Sequence, residues 1–178
     1  SGSTDVYQYC RTAYDAFALP TFLIEAWYEN EHGMTPYDLR KQSYWAITQC
    51  TAGQTLGNAP MWSFGAASAA SYADDRSLTW PQALDWPGSR DQTRLFDLVR
   101  TNGAWVLVPD RTDSLVTDGT GGYGSDTYAT TGLKEDRTVS MTYVPTVRSL
   151  TINLAWFSAP VTLRWYDPTN ATYAIIAG

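Results

Sequence analysis

Glu25 ends a short apolar run, Thr21-Phe22-Leu23-Ile24-Glu25, and opens an aromatic, acidic stretch, Ala26-Trp27-Tyr28-Glu29-Asn30-Glu31-His32. A carboxylate at the carboxyl end of a buried strand, with tryptophan and tyrosine beside it, suits cleavage of a sugar linkage. The carboxylate stabilises or attacks a cationic anomeric carbon, and flat rings hold the sugar. Glu25 is therefore the first catalytic candidate and Glu29, in the same stretch, the second. The structural alternative for Glu25 is an anchor that accepts loop amide hydrogens or pairs with a cation; for Glu29 it is a solvated loop acid. Trp27 and Trp62 are candidate substrate-binding platforms or, alternatively, loop packing. Tyr28 either hydrogen-bonds and tunes the carboxylate or fills space. This chemistry ordinarily takes two carboxylates, and no second one stands at an evident spacing.

The remaining composition narrows the function classes. The chain has 178 residues, 44% hydrophobic and only 17% charged, which favours folding over disorder. A net charge of -6 with 12 scattered basic residues argues against a nucleic-acid partner. No apolar stretch approaches the ~20 residues needed to span a bilayer, so no membrane partner is expected. Eight Trp and twelve Tyr suit both carbohydrate stacking and β-sandwich cores. Low Lys with abundant Trp, Tyr, Thr and Ser fits an extracellular or periplasmic protein, although Ser1-Gly2-Ser3-Thr4 is not the start of a signal peptide. No cofactor or metal is expected. There is one His, and no Cys pair stands at zinc-ligand spacing. The stretch from Asp118 to Asp126 matches no calcium loop and reads as a hairpin. Cys10 and Cys50 permit one disulfide, but both fall on apolar helix faces, where buried thiols fit equally.

Two grammars position these residues. Val6, Cys10, Ala13, Tyr14 and Phe17 lie on one face of a helix spanning residues 5–18, and residues 21–25 read as a strand covered on both sides. Thr35-Pro36-Tyr37-Asp38 opens a second helix with a cap, a first-turn proline and an acid reaching back. Residues 54–64 read as a weaker strand, 65–90 as a long loop, and 91–102 as a third helix closed by Gly103. Alternating helices and strands imply parallel strands. After Gly103 the segments 105–108, 127–131, 138–143, 150–154 and 161–166 are short, β-branched and separated by turns, as in a small antiparallel sandwich.

At this point particular motifs carry a resemblance. Pro20 to Glu29 (P-T-F-L-I-E-A-W-Y-E), Arg40 with Tyr44-Trp45-Ala46, Ala52-Gly53-Gln54-Thr55-Leu56-Gly57, and Met61-Trp62 resemble the last βα units of apiosidase-like glycoside hydrolases, which are (β/α)8 barrels. W-P-Q-A-L-D-W-P-G, ending at Gly88, and Trp105-Val106-Leu107-Val108-Pro109-Asp110 continue it. Tyr143-Val144-Pro145-Thr146 and Trp165-Tyr166-Asp167-Pro168 resemble the collagen-binding-type β-sandwich that follows such barrels. The resemblance implies an α/β plus all-β chain: residues 1–103 from the C-terminal part of a (β/α)8, TIM-type barrel, and 104–178 a β-sandwich. It also implies a retaining glycoside hydrolase acting on plant or microbial polysaccharides, with Glu25 as nucleophile and the acid/base on an earlier strand that has no counterpart here. A whole barrel needs ~250 residues, so the remaining barrel portion is expected from the same parent chain or a partner chain. Relatives commonly carry a histidine and a tyrosine where Gln54, Leu56 and Asn58 stand here, which puts the substrate contacts in question. Two other classes compete: a non-catalytic carbohydrate-binding or adhesion module, and a structural assembly subunit.

Overall fold

A computed structural model describes residues 6–17, 19–49, 51–64 and 79–176. Among the described residues the helices are α1 (Val6–Ala16), α2 (Pro36–Thr48), α3 (Ala59–Ser63), α4 (Trp80–Ala83) and α5 (Pro87–Asn102). The strands are β1 (Leu107–Pro109), β2 (Val116–Asp118), β3 (Thr130–Lys134), β4 (Ser140–Tyr143), β5 (Thr151–Ile152), β6 (Arg164–Asp167) and β7 (Thr172–Ile175). They pair antiparallel as β1-β3-β4, β2-β5 and β6-β7.

Helix α2 is the centre of the molecule. It starts where the sequence says, with the Asp38 carboxylate accepting the Thr35 N–H at 3.0 Å and Pro36 in the first turn. It packs against α1, α5 and the β1-β3-β4 sheet. That is why it is buried almost all round rather than along one stripe. Even Lys41 is covered, its ammonium lying 5.2 Å from the Tyr37 ring centroid and 5.3 Å from that of Trp45. The sheet reaches α2 closely at Gly132, where a Cβ would sit 3.2 Å from the Thr48 carbonyl oxygen. Beside it the Thr48 and Thr130 hydroxyls share a 2.6 Å hydrogen bond. The core cluster includes Tyr7, Trp45, Leu95, Tyr128 and Tyr143, so one apolar interior joins residues on both sides of position 104.

Several expectations need correction. Residues 21–25 do not form a multi-partner strand. They make one parallel bridge, Leu23 to Gln54, and Phe22 and Ile24 are 52% and 72% exposed. A continuous apolar run is buried only if both flanks have neighbours, and among the described residues one flank does. The weak strand over 54–64 is instead that bridge followed by α3. Asn58 caps α3, its Oδ1 accepting the Met61 N–H at 3.0 Å. Of the long loop, residues 65–78 lie outside the described residues, and the rest contains α4 and the start of α5. Thr79 and Gln82 form the capping box of α4, and Pro87, inside that expected loop, is the first residue of α5. The expected strand at 105–108 begins as a 3-10 turn, Ala104–Val106. The three antiparallel sheets make this a mixed helix-and-sheet chain.

Cys50 lies outside the described residues, so its pairing does too. Cys10 is a buried thiol, and burial pushes its pKa up to about 12. Because the thiolate is the reactive form, Cys10 is expected to resist iodoacetamide at pH 8 in the native chain and to react once the chain is unfolded in guanidinium. Mass spectrometry that finds Cys10 labelled within minutes under native conditions contradicts this burial.

Candidate active site

Glu25 sits at the end of a short parallel ladder. Ala52 N–H donates to the Thr21 carbonyl at 2.7 Å, Leu23 N–H to Gly53 at 3.1 Å, and Thr55 N–H to Leu23 at 3.0 Å. The exposed Phe22 ring lies over Gly53, 2.6 Å from where a Cβ would stand. Beyond the last ladder bond Glu25 is exposed, and the Tyr28 hydroxyl donates to its Oε1 at 3.1 Å. Burial, that hydrogen bond and the neighbouring Glu25 and Glu31 charges push the Tyr28 pKa up, so the phenol keeps its proton and remains a donor. Its ring lies against Gly57, where a Cβ would stand 2.7 Å from Cζ.

The loop that follows is held from three elements. On α2, buried Gln42 bonds both backbone groups of Trp27: its Oε1 accepts the N–H at 3.1 Å and its Nε2 donates to the carbonyl at 2.7 Å. Asn30, His32 and Gly33 all take positive φ, at 60°, 55° and 77°, so the chain reverses tightly before α2. On α3, the Trp62 indole N–H donates to Glu31 Oε1 at 3.4 Å, leaving half the indole surface open to solvent. On α5, the Gly88 N–H donates to Glu29 Oε2 at 2.9 Å. Glu29 is only 3% exposed. Burial raises its pKa most; the Gly88 N–H and Arg40 lower it, and Asp91 raises it.

The fold thus brings Glu25, Tyr28, Glu31 and Trp62 into one connected group, while Glu29 is turned to the end of α5. Trp27 meets His32 edge-on, ring centroids 6.3 Å apart. Arg40 pairs with Asp91 at 2.7 Å. Gln54 Nε2 donates to Ser43 Oγ of α2 and to Gln92 Oε1 of α5. Glu31, Gln42 and Gly88 were missed as site residues. The only sequence signal for Gln42 is a polar side chain within the most buried helix, and Gly88 is 59 positions from the acid it holds.

A cleft of about 1240 Å³ lies elsewhere, between α2, β4 and the β6-β7 hairpin, lined by Tyr44, Tyr143, Trp165, Tyr166 and Tyr173 among others. Among the described residues that line it there is no Asp or Glu, whereas Glu25 and Glu29 both belong to the stretch after the ladder. The described residues contain no group of three His, Cys, Asp or Glu placed to hold a metal, and no helix long and apolar enough to cross a membrane.

The apiosidase-like catalytic-domain family model matches residues 1–106. In fold the chain is similar to the crystal structure of a glycoside hydrolase family 5 protein from Bacteroides vulgatus, at 22% identity and a TM-score of 0.80, covering 97% of this chain and 39% of that one. It is also similar to a second solved structure described as a glycoside hydrolase, at 22% identity and a TM-score of 0.82, covering 97% and 40%. The chain therefore spans about two-fifths of the length of these structures. No curated protein matches it.

Proposed function

The chain belongs to the apiosidase-like catalytic-domain family, and from that premise we propose that it supplies the nucleophile side of a retaining glycoside hydrolase acting on plant or microbial polysaccharides. Residues 1–103 are read as the closing βα units of a (β/α)8 barrel and 104–178 as the β-sandwich behind it. The parallel ladder between residues 21–23 and 52–55, with α2 and α3 following its two segments, supports that reading. So does the two-fifths coverage of glycoside hydrolase structures. The rest of the barrel, with the acid/base, comes from the same parent polypeptide or a partner chain. Substrates too large to cross a membrane place the work outside the cytoplasm, in the periplasm or beyond.

One observation carries the proposal: within the family-matched residues, Glu25 is a solvent-open carboxylate at the carboxyl end of the parallel ladder, held by Tyr28. In the first step a Glu25 oxygen bonds to the anomeric carbon as the glycosidic C–O bond breaks, and the acid protonates the departing oxygen. That group, now a base, takes a proton from water, whose oxygen displaces Glu25. Tyr28 holds the carboxylate in line, and Trp62, fixed by Glu31, offers a ring face to the sugar.

A trapping experiment tests this. A panel of 2-deoxy-2-fluoroglycosides with dinitrophenolate leaving groups needs no general acid for the first step. Incubated with the native polypeptide that contains these residues, one member is expected to leave a glycosyl ester on the peptide containing Glu25. An ester on a different carboxylate removes Glu25 from the role. Inversion at the anomeric carbon during glycan cleavage, followed by NMR, removes the retaining mechanism.

A further inference from the structure

Glu29 and Gly88 form a joint whose parts fit closely. Gly88 is the second residue of α5, and its N–H is one of the helix's otherwise unmet donors. Glu29 Oε2 meets it at 2.9 Å, from a loop 59 residues earlier in the chain. A Cβ at position 88 would overlap the Glu29 carboxylate and stand 2.8 Å from Leu39 Cδ2, so only glycine leaves the carboxylate its seat. Charged groups around the joint come from two helices. Asp91, one turn along α5 and 2% exposed, is bonded by Arg40 of α2 at 2.7 Å and by Arg94 at 2.8 Å. These ties leave Asp91's charge met and Glu29 relying on a backbone donor.

The consequence concerns Tyr28. The residue before it, Trp27, is clamped to α2 by Gln42; the residue after it is clamped to α5 by Glu29. With both neighbours fixed and its ring against Gly57, the Tyr28 hydroxyl has one direction to point, toward Glu25. The geometry points to Glu29 as a positioning residue: through the Gly88 joint it orients Tyr28, and through Tyr28 the Glu25 carboxylate. The inference rests on the hydrolase reading of Glu25 but assigns Glu29 no contact with sugar. What the joint requires of residue 29 is an acceptor oxygen, and a charge is unnecessary.

That last point separates positioning from catalysis. In the native polypeptide, Glu29→Ala is expected to lower kcat ten- to a hundredfold with KM within about twofold, the scale of a nucleophile displaced by about an ångström. Glu29→Gln, which keeps the acceptor, is expected to return kcat to within about threefold of wild type. Gly88→Ala expels the carboxylate and should reproduce the alanine loss, with the double variant no worse than either single one, as for two halves of one contact. A glutamine variant as impaired as the alanine variant overturns the inference, since the charge itself is then catalytic; so does wild-type kcat in Glu29→Ala. If instead Glu25→Gln turns over normally, it is the hydrolase reading that fails.

A second readout needs no activity. A carboxyl whose pKa is raised on folding holds its proton more tightly in the folded state, so the fold loses stability as pH rises from the ordinary carboxylate range through the raised value. In the native polypeptide, Glu29→Gln should therefore melt above wild type at pH 8, the two converging at about pH 4 and below, where carboxyls protonate in both states. A variant that melts below wild type at pH 8 shows that the joint needs the charge, and overturns the assignment.

Discussion

Glu25→Gln in the native polypeptide is expected to abolish glycan hydrolysis, lowering kcat on the order of 10⁴-fold, the scale on which enzymes lose turnover when their nucleophile is removed. The amide cannot form the glycosyl ester, yet it keeps the shape of the side chain and an oxygen for the Tyr28 hydroxyl to reach. Because position 25 is exposed, stability should stay within about 0.5 kcal/mol of wild type, as for most surface substitutions. Sugar should still bind, measurable by calorimetry. Turnover within tenfold of wild type would falsify the nucleophile assignment. Loss of turnover together with loss of fold, seen as a collapsed near-ultraviolet circular dichroism signal, would show that Glu25 is an anchor instead.

The largest effect on stability is expected at Trp45. Its side chain is fully buried, its indole N–H donates to the Tyr128 carbonyl at 3.0 Å, and Tyr7 packs on it at 4.8 Å between ring centroids. It therefore ties α1, α2 and the segment before β3 together. Trp45→Ala leaves a cavity the surroundings cannot fill and an acceptor in a dry interior, a cost of about 3–5 kcal/mol. Against a total of about 5–15 kcal/mol for a domain, that is a large share. A fall in melting temperature of roughly 10–15 °C follows for a chain of this length. Trp45→Phe, which loses the donor but keeps most of the volume, should recover more than half. A loss under about 1 kcal/mol in urea unfolding for the alanine variant would show that the two halves do not share this core.

Much of the helical framework is legible in residue order because its signals are local. Thr35, Pro36 and Asp38 specify the start of α2, and Gly103, at φ 63°, closes α5. Helix α1 keeps Val6 and Cys10 on its buried face, as the spacing predicts. The start of α5 falls earlier than the expected residue 91, because proline opens helices as readily as it follows them. Pro60 and Pro87 lie in the first turns of α3 and α5, where a missing N–H costs nothing. Strand limits shifted because β pairing depends on a partner's register. Residues 105–108, apolar enough for a strand, begin as a 3-10 turn, since only Leu107–Pro109 find partners on β3.

For the site, the sequence alone determined that a carboxylate would end the 21–25 run among aromatic residues, and that a tyrosine three positions on could reach it. It also contained the family motifs, which are properties of residue order. Only the tertiary structure decided which of two nearby acids faces solvent. Glu25 lies past the last rung of a ladder built with residues 52–55, whereas Glu29 is drawn inward by an amide hydrogen at residue 88. The physical reason is separation along the chain: Gln42, Trp62 and Gly88 come from three different helices, and no local pattern records which distant backbone group will meet a given carboxylate once the helices have packed.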